Sequence, residues 1–87
     1  MKTCARGIDL VEVFAAKGSR IALSDAGVGA TLLKSAMQGA SLNVYINTKS
    51  MKDRKRAEEL NQLADSLREE YEAKADRIFA EVSSRIR

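Results

Sequence analysis

The chain has 87 residues, 15 Lys and Arg against 12 Asp and Glu, one cysteine, no histidine and no proline. That length admits one domain with a marginal core, and an apolar share of 45% argues against a disordered chain. The missing histidine excludes nucleophile–histidine machinery and leaves zinc almost only carboxylates to bind, so no metal is expected.

Residues 1–50 hold six Lys or Arg against three Asp or Glu, and residues 51–87 hold nine of each, so the excess of +3 is spread thinly. Cys4 has no second cysteine to pair with and reads as an inert thiol. The opening "MKTCARGIDLVEVFAAKG" carries Asp9 and Glu12 within its apolar part, unlike a signal peptide, so the expected location is the cytoplasm.

In chain order, the first element is a short helix over Ile8 to Ala16. Ile8, Leu10, Val11, Val13, Phe14 and Ala15 supply its apolar side, Asp9, Glu12 and Lys17 its polar side, and Gly18 ends it. Ser19 to Leu23 reads as a connection, after which Ser24 and Asp25 offer N-cap side chains to a second, long helix. At 100° per residue one stripe of that helix carries Gly29, Leu32, Ala36, Gly39, Ala40, Asn43 and Asn47, while Lys34, Gln38, Ser41 and Tyr45 lie opposite on a narrow wet face. The small stripe would let another helix approach closely.

"NTKSMKDRKR" breaks the pattern, and Ser50 is the expected N-cap of a third helix with Asp53 in its first turn. Leu60, Ala64, Leu67, Tyr71, Ala75, Ile78 and Val82 form its apolar stripe, with Glu70–Lys74 and Glu81–Arg85 as pairs four apart. Helices of roughly 15, 35 and 50 Å cannot match in a three-helix bundle. The expected fold is therefore all-α, a helical bundle of one short and two long helices completed by oligomerisation, with residues 1–87 as a single domain or fragment.

Three readings of residues 24–47 compete. A membrane span is opposed by Lys34 near its centre, at a cost of about 2.5–3.5 kcal/mol on insertion scales. A purely structural helix would use Asp25 as a cap and its asparagines to satisfy backbone. The third reading is a site.

"SDAGVGATLLKSAMQGASLNVYINTKSMKD", residues 24–53, resembles the signature region of the cyclodeaminase and cyclohydrolase family acting on tetrahydrofolate. The match runs through Ser24-Asp25-Ala26-Gly27, Ala36, Gly39-Ala40, Asn43-Val44, Ile46-Asn47 and Lys49-Ser50 with Asp53. Ser19 departs from the family's asparagine after Gly18, and the family's N-terminal helices have no counterpart. The resemblance thus implies the C-terminal half of a cyclodeaminase domain, a homo-oligomer working in one-carbon metabolism. It also implies a tetrahydrofolate derivative as substrate, cyclised with loss of ammonia or hydrolysed at a methenyl bridge. The alternative is a non-catalytic helical assembly module.

Either reaction needs proton transfer, for which Asp25 is the one acid between Glu12 and Asp53. An apolar helix beside it would raise its pKa and a helix N-terminus would lower it. Ser24 stands beside it in the motif, and Asn43 and Asn47 offer the donors and acceptors that a pterin amide edge requires. Lys49 and Lys52, with Arg54, Lys55 and Arg56, form a basic cluster suited to folate carboxylates. No aromatic interleaves that cluster, so nucleic acid is not expected, nor is a membrane. In one helix Asp25 and Asn43 stand about 27 Å apart on one face. A site using both needs a second, antiparallel copy.

Overall fold

The computed structural model describes residues 1–17 and 20–87, with side chains described outside residues 14–22. Three helices follow in order: α1 (Lys2–Lys17), α2 (Arg20–Lys49) and α3 (Arg54–Ile86). No described helix is long and apolar enough to cross a membrane. The all-α bundle expected from the pattern is therefore what the chain forms.

The starts of all three helices differ from expectation, α1 beginning at Lys2 and not Ile8. Helix α2 begins at Arg20, so Arg20 to Leu23, read as part of a connection, form its first turn, and Ser24 and Asp25 lie within the helix instead of capping it. Nothing in Arg20–Leu23 breaks a helix, and good cap residues do not stop one that already has a start. At the other break Asp53, not Ser50, is the N-cap of α3, with its carboxylate accepting from Arg56 N at 3.0 Å. Ser50 instead donates to the Asn47 carbonyl at 3.1 Å, closing the end of α2. The expected stop at Gly18 lies outside the described residues.

Helix α1 is longer than expected, at 16 residues, but still about half the length of α2 and α3, with 30 and 33. It covers only part of the α2–α3 hairpin, in a molecule measuring 51 × 17 × 15 Å. The core joins Ala5 and Ile8 of α1, Leu23, Ala26, Ala30 and Met37 of α2, and Ala75, Ile78 and Val82 of α3. The α3 stripe is inward as expected, with Ala64, Ala75, Ile78 and Val82 buried and Leu67 and Tyr71 packed against the core. On α1, Ile8 is fully buried, whereas Leu10 and Val13, assigned to the apolar side, are exposed.

The two faces of α2 are largely the reverse of their sequence assignment, although Gln38 of the expected wet face is exposed. Lys34, Ser41 and Tyr45, read as the wet face, turn toward α3: Ser41 is buried, Lys34 Nζ meets Asp76 Oδ1 at 2.7 Å, and the Tyr45 hydroxyl donates to Asp65. The stripe read as close-packed is mostly open within the chain, with only Gly29, beside Val11 of α1, and Ala40 partly covered. Leu32 is 66% exposed, and a Cβ built on Gly39 would meet nothing within 4 Å. The cause is on α3, whose polar positions Asn61, Asp65, Arg68 and Asp76 give hydrogen-bonding partners to the polar row of α2. A small-residue stripe has no such partner in this chain.

Candidate functional site

Every candidate residue lies on α2 or just beyond it. Ser24 and Asp25 sit on its second turn, Asn43 and Asn47 on its last turns, Lys49 is its final residue, and Lys52 is in the connection to α3. All six are exposed. The structure brings them together as two groups, not one: Ser24 with Asp25, and Asn43, Asn47, Lys49 and Lys52 at the opposite end, about 27 Å away by helical rise.

Where α2 begins, α3 ends, because the two run antiparallel. Ser24 borders a groove of about 200 Å³ also lined by Val28, Phe79, Ser83, Ile86 and Arg87. Its lining is mostly hydrocarbon, with Phe79 55% exposed. Asp25 is on the sixth residue of α2, beyond the free backbone N–H groups of the first turn, so the cap role considered for it is removed. Asp25 and Asn43 are separated by five full turns and face the same way.

At the other end the backbone is firmly tied. Arg54 Nη1 lies 2.8, 3.3 and 3.0 Å from the carbonyl oxygens of Thr48, Lys49 and Met51. The buried Thr48 hydroxyl is 2.6 Å from Asn61 Oδ1 and 3.1 Å from the Tyr45 carbonyl. These contacts sort the basic cluster. Arg54 is used to cap α2, and Arg56 leans on Glu59 at 3.5 Å. Lys49, Lys52 and Lys55 have no acidic partner among the described residues, and Lys49 and Lys52 stand where the carbonyl end of α2 favours cations.

Sequence reading missed the charged contacts that hold this frame. Lys74, paired on paper with Glu70, bonds Asp9 on α1 instead and reaches Glu12 at 3.4 Å, while the Tyr71 hydroxyl donates to Asp9 at 3.1 Å. The Lys74 ammonium holds the Asp9 carboxyl below its ordinary value against the opposing effect of burial. Glu81 and Arg85 do pair, at 4.0 Å. A legible signal for the α2 contacts existed: Lys34, Ser41, Tyr45 and Thr48 are spaced seven, four and three, the spacing of a helix–helix seam. Among the described residues no three His, Cys, Asp or Glu side chains gather as a metal site.

Comparison with known proteins adds the family. A model described as formiminotransferase-cyclodeaminase matches residues 1–66. A methenyltetrahydrofolate cyclohydrolase of Methylorubrum extorquens is 38% identical over 85 residues, which cover 98% of this chain and 41% of that protein. The chain thus spans about two fifths of the length of this relative. No solved structure gives a significant match.

Proposed function

The chain belongs to the formiminotransferase-cyclodeaminase family, and from that premise we propose that it supplies one part of a folate one-carbon site, corresponding to the C-terminal half of a cyclodeaminase domain. The observation that carries the reading is the placement of Asp25, Asn43 and Asn47 on one exposed face of α2. A purely structural Asp25 would be expected to cap or pair, and it does neither among the described residues.

The substrate is a tetrahydrofolate carrying a one-carbon unit between, or on, its reactive nitrogens. In the hydrolytic version water adds to the methenyl carbon and gives up a proton, the carbon–N5 bond breaks as the carbonyl forms, and the hydroxyl proton passes to N5. In the deaminating version the second folate nitrogen attacks the formimidoyl carbon and ammonia leaves. The relative in Methylorubrum extorquens is named for the first, and this chain is proposed for the same class. Asp25 is the proton carrier, Ser24 and the asparagines orient the pterin ring through donors and acceptors, and Lys49 and Lys52 hold the glutamate carboxylates.

The test is folate binding and loss of methenyl absorbance with wild type and Asp25→Asn, with thermal unfolding as control. Asp25→Asn is expected to lose about 10²–10⁴-fold in turnover at nearly unchanged stability. Undiminished turnover would remove Asp25 from the chemistry. A second reading, a helical assembly module without catalysis, is favoured by the apolar side chains exposed along α2. It wins if wild type neither binds nor converts folate.

A further inference from the structure

We infer that the groove between the early turns of α2 and the last turns of α3 holds the aminobenzoyl ring of the folate against Phe79, which sets the one-carbon unit beside Asp25. This ring site rests on the folate reading above.

The groove exists because the two helices close tightly at its floor. A Cβ built on Gly27 would lie 3.1 Å from Val82 Cγ1, and both residues are buried. The walls rise from there to side chains that water reaches, Val28, Phe79 and Ile86. Nothing in the packing of α3 calls for Phe79 on this rim, since the side of the helix that enters the core is Ala75, Ile78 and Val82. Phe79 also borders a second hollow of about 220 Å³, where Thr31 and the Lys34–Asp76 pair stand. Those two charges satisfy each other at 2.7 Å, so the hydrocarbon side of Phe79 is the one left for a ligand.

Size and chemistry select the part of a folate that fits. At about 200 Å³ the groove is smaller than the roughly 300–1,000 Å³ that encloses a drug-sized ligand. It takes one ring, not the whole molecule. A pterin carries donors and acceptors around its edge, and hydrocarbon walls would leave them unpaired. A benzene ring carries none, and it packs well against an exposed phenylalanine, offset-stacked or edge to face. Charge agrees with this choice. The arm attached to the ring is anionic, and the one charged side chain lining the groove among the described residues is a cation, Arg87, which has no acidic partner among them. Ser83 offers a hydroxyl donor to the benzoyl carbonyl from the same wall.

Holding this ring also places the reaction. N10 is bonded directly to the benzene ring and carries the methenyl carbon, so a ring seated on Phe79 leaves the reacting carbon at the edge of the groove. Val28 forms that edge, and Asp25 is three residues before it on α2. Residues at that spacing are surface neighbours, about 5–6 Å apart at Cβ. Phe79 is therefore a positioning residue: it binds the part of the substrate that does not react.

The experiment titrates the full chain with N-(4-aminobenzoyl)glutamate and follows phenylalanine ring protons by NMR. Phe14 and Phe79 are the two phenylalanines, so Phe79→Leu assigns the signals. Phe79 signals are expected to shift saturably, Phe79→Ala to bind about tenfold more weakly, and Phe79→Tyr to bind as wild type does. In methenyltetrahydrofolate turnover Phe79→Ala should raise KM about tenfold at unchanged kcat, the opposite split from Asp25→Asn. Phe79 signals that ignore the aminobenzoylglutamate, or that move on dilution alone because a second copy covers the groove, overturn the ring site. Turnover by Phe79→Ala at wild-type KM overturns it too and leaves the folate reading standing. Wild type that neither binds nor converts methenyltetrahydrofolate overturns the folate reading, and the ring site with it, whatever aminobenzoylglutamate does.

Discussion

Gly7 of α1 seats the Leu33 side chain of α2: a Cβ built on Gly7 would lie 2.9 Å from one Leu33 methyl and 3.0 Å from the other. Gly39 on the same helix as Leu33 has open space instead. The two glycines should therefore respond oppositely to substitution. Gly7→Leu is expected to cost about 1–3 kcal/mol through overpacking. Gly39→Ala should raise the stability of the fold by about 0.5–1 kcal/mol, because a helix-interior glycine gives up more chain entropy than alanine. Chemical denaturation of both variants checks the pair.

Caps and interior aspartates separate in the same way. Asp53 accepts the Arg56 amide, so Asp53→Ala should cost about 1 kcal/mol and Asp53→Asn little. Asp25 is inside α2, where alanine is the better helix former, so Asp25→Ala should leave the unfolding temperature unchanged or slightly higher. A drop for Asp25→Ala comparable to that for Asp53→Ala would return Asp25 to a capping role.

The contact of α1 with α3 should titrate at both extremes of pH. Lys74 lowers the pKa of Asp9 from its ordinary 3.8, and the hydrogen bond it donates to Asp9 raises that of Lys74 from 10.5. The Asp9 contribution is complete above pH 3.8 and is lost as pH falls through the lower folded value. The Lys74 contribution is complete below pH 10.5 and is lost as pH rises through the higher folded value. Asp9→Asn should flatten both limbs of the unfolding temperature against pH. Limbs identical to wild type would place the sensitivity elsewhere.

Met37 is fully buried at the centre of α2 and has no polar atom to compensate for its loss. Met37→Ala is expected to cost about 2–5 kcal/mol, read as a shift in denaturation midpoint at unchanged slope.

The sequence made α3 legible because one apolar stripe there competes with nothing: Leu60 through Val82 repeat at helical spacing and the opposite side is charged. Helix α2 was legible as a helix but not as to which side faces inward. Its small stripe is the more apolar of its two sides, yet the choice is made by hydrogen-bond partners on α3, some 13 to 42 residues away. The start of α2 was misread since Ser24 and Asp25 have strong capping chemistry that the preceding helical turn makes irrelevant. Of the candidate site, the shared direction of Asp25 and Asn43 follows from residue counting alone. That Arg54 is withdrawn from the basic cluster to hold three carbonyls could not be seen without the turn.

The polar row between α2 and α3 also orders events in time. Its contacts span 13 residues at Thr48–Asn61, 20 at Tyr45–Asp65 and 42 at Lys34–Asp76, and the α1 contact Asp9–Lys74 spans 65. Closing a loop costs more as it lengthens, but closing each one inside the next costs little once the inner one has formed. The hairpin should zip outward from the connection that Arg54 clamps, and α1 should dock last. Substitutions at Thr48 and Asn61 should accordingly slow folding, while those at Asp9 and Lys74 should chiefly speed unfolding, a split that stopped-flow kinetics on the four variants would resolve.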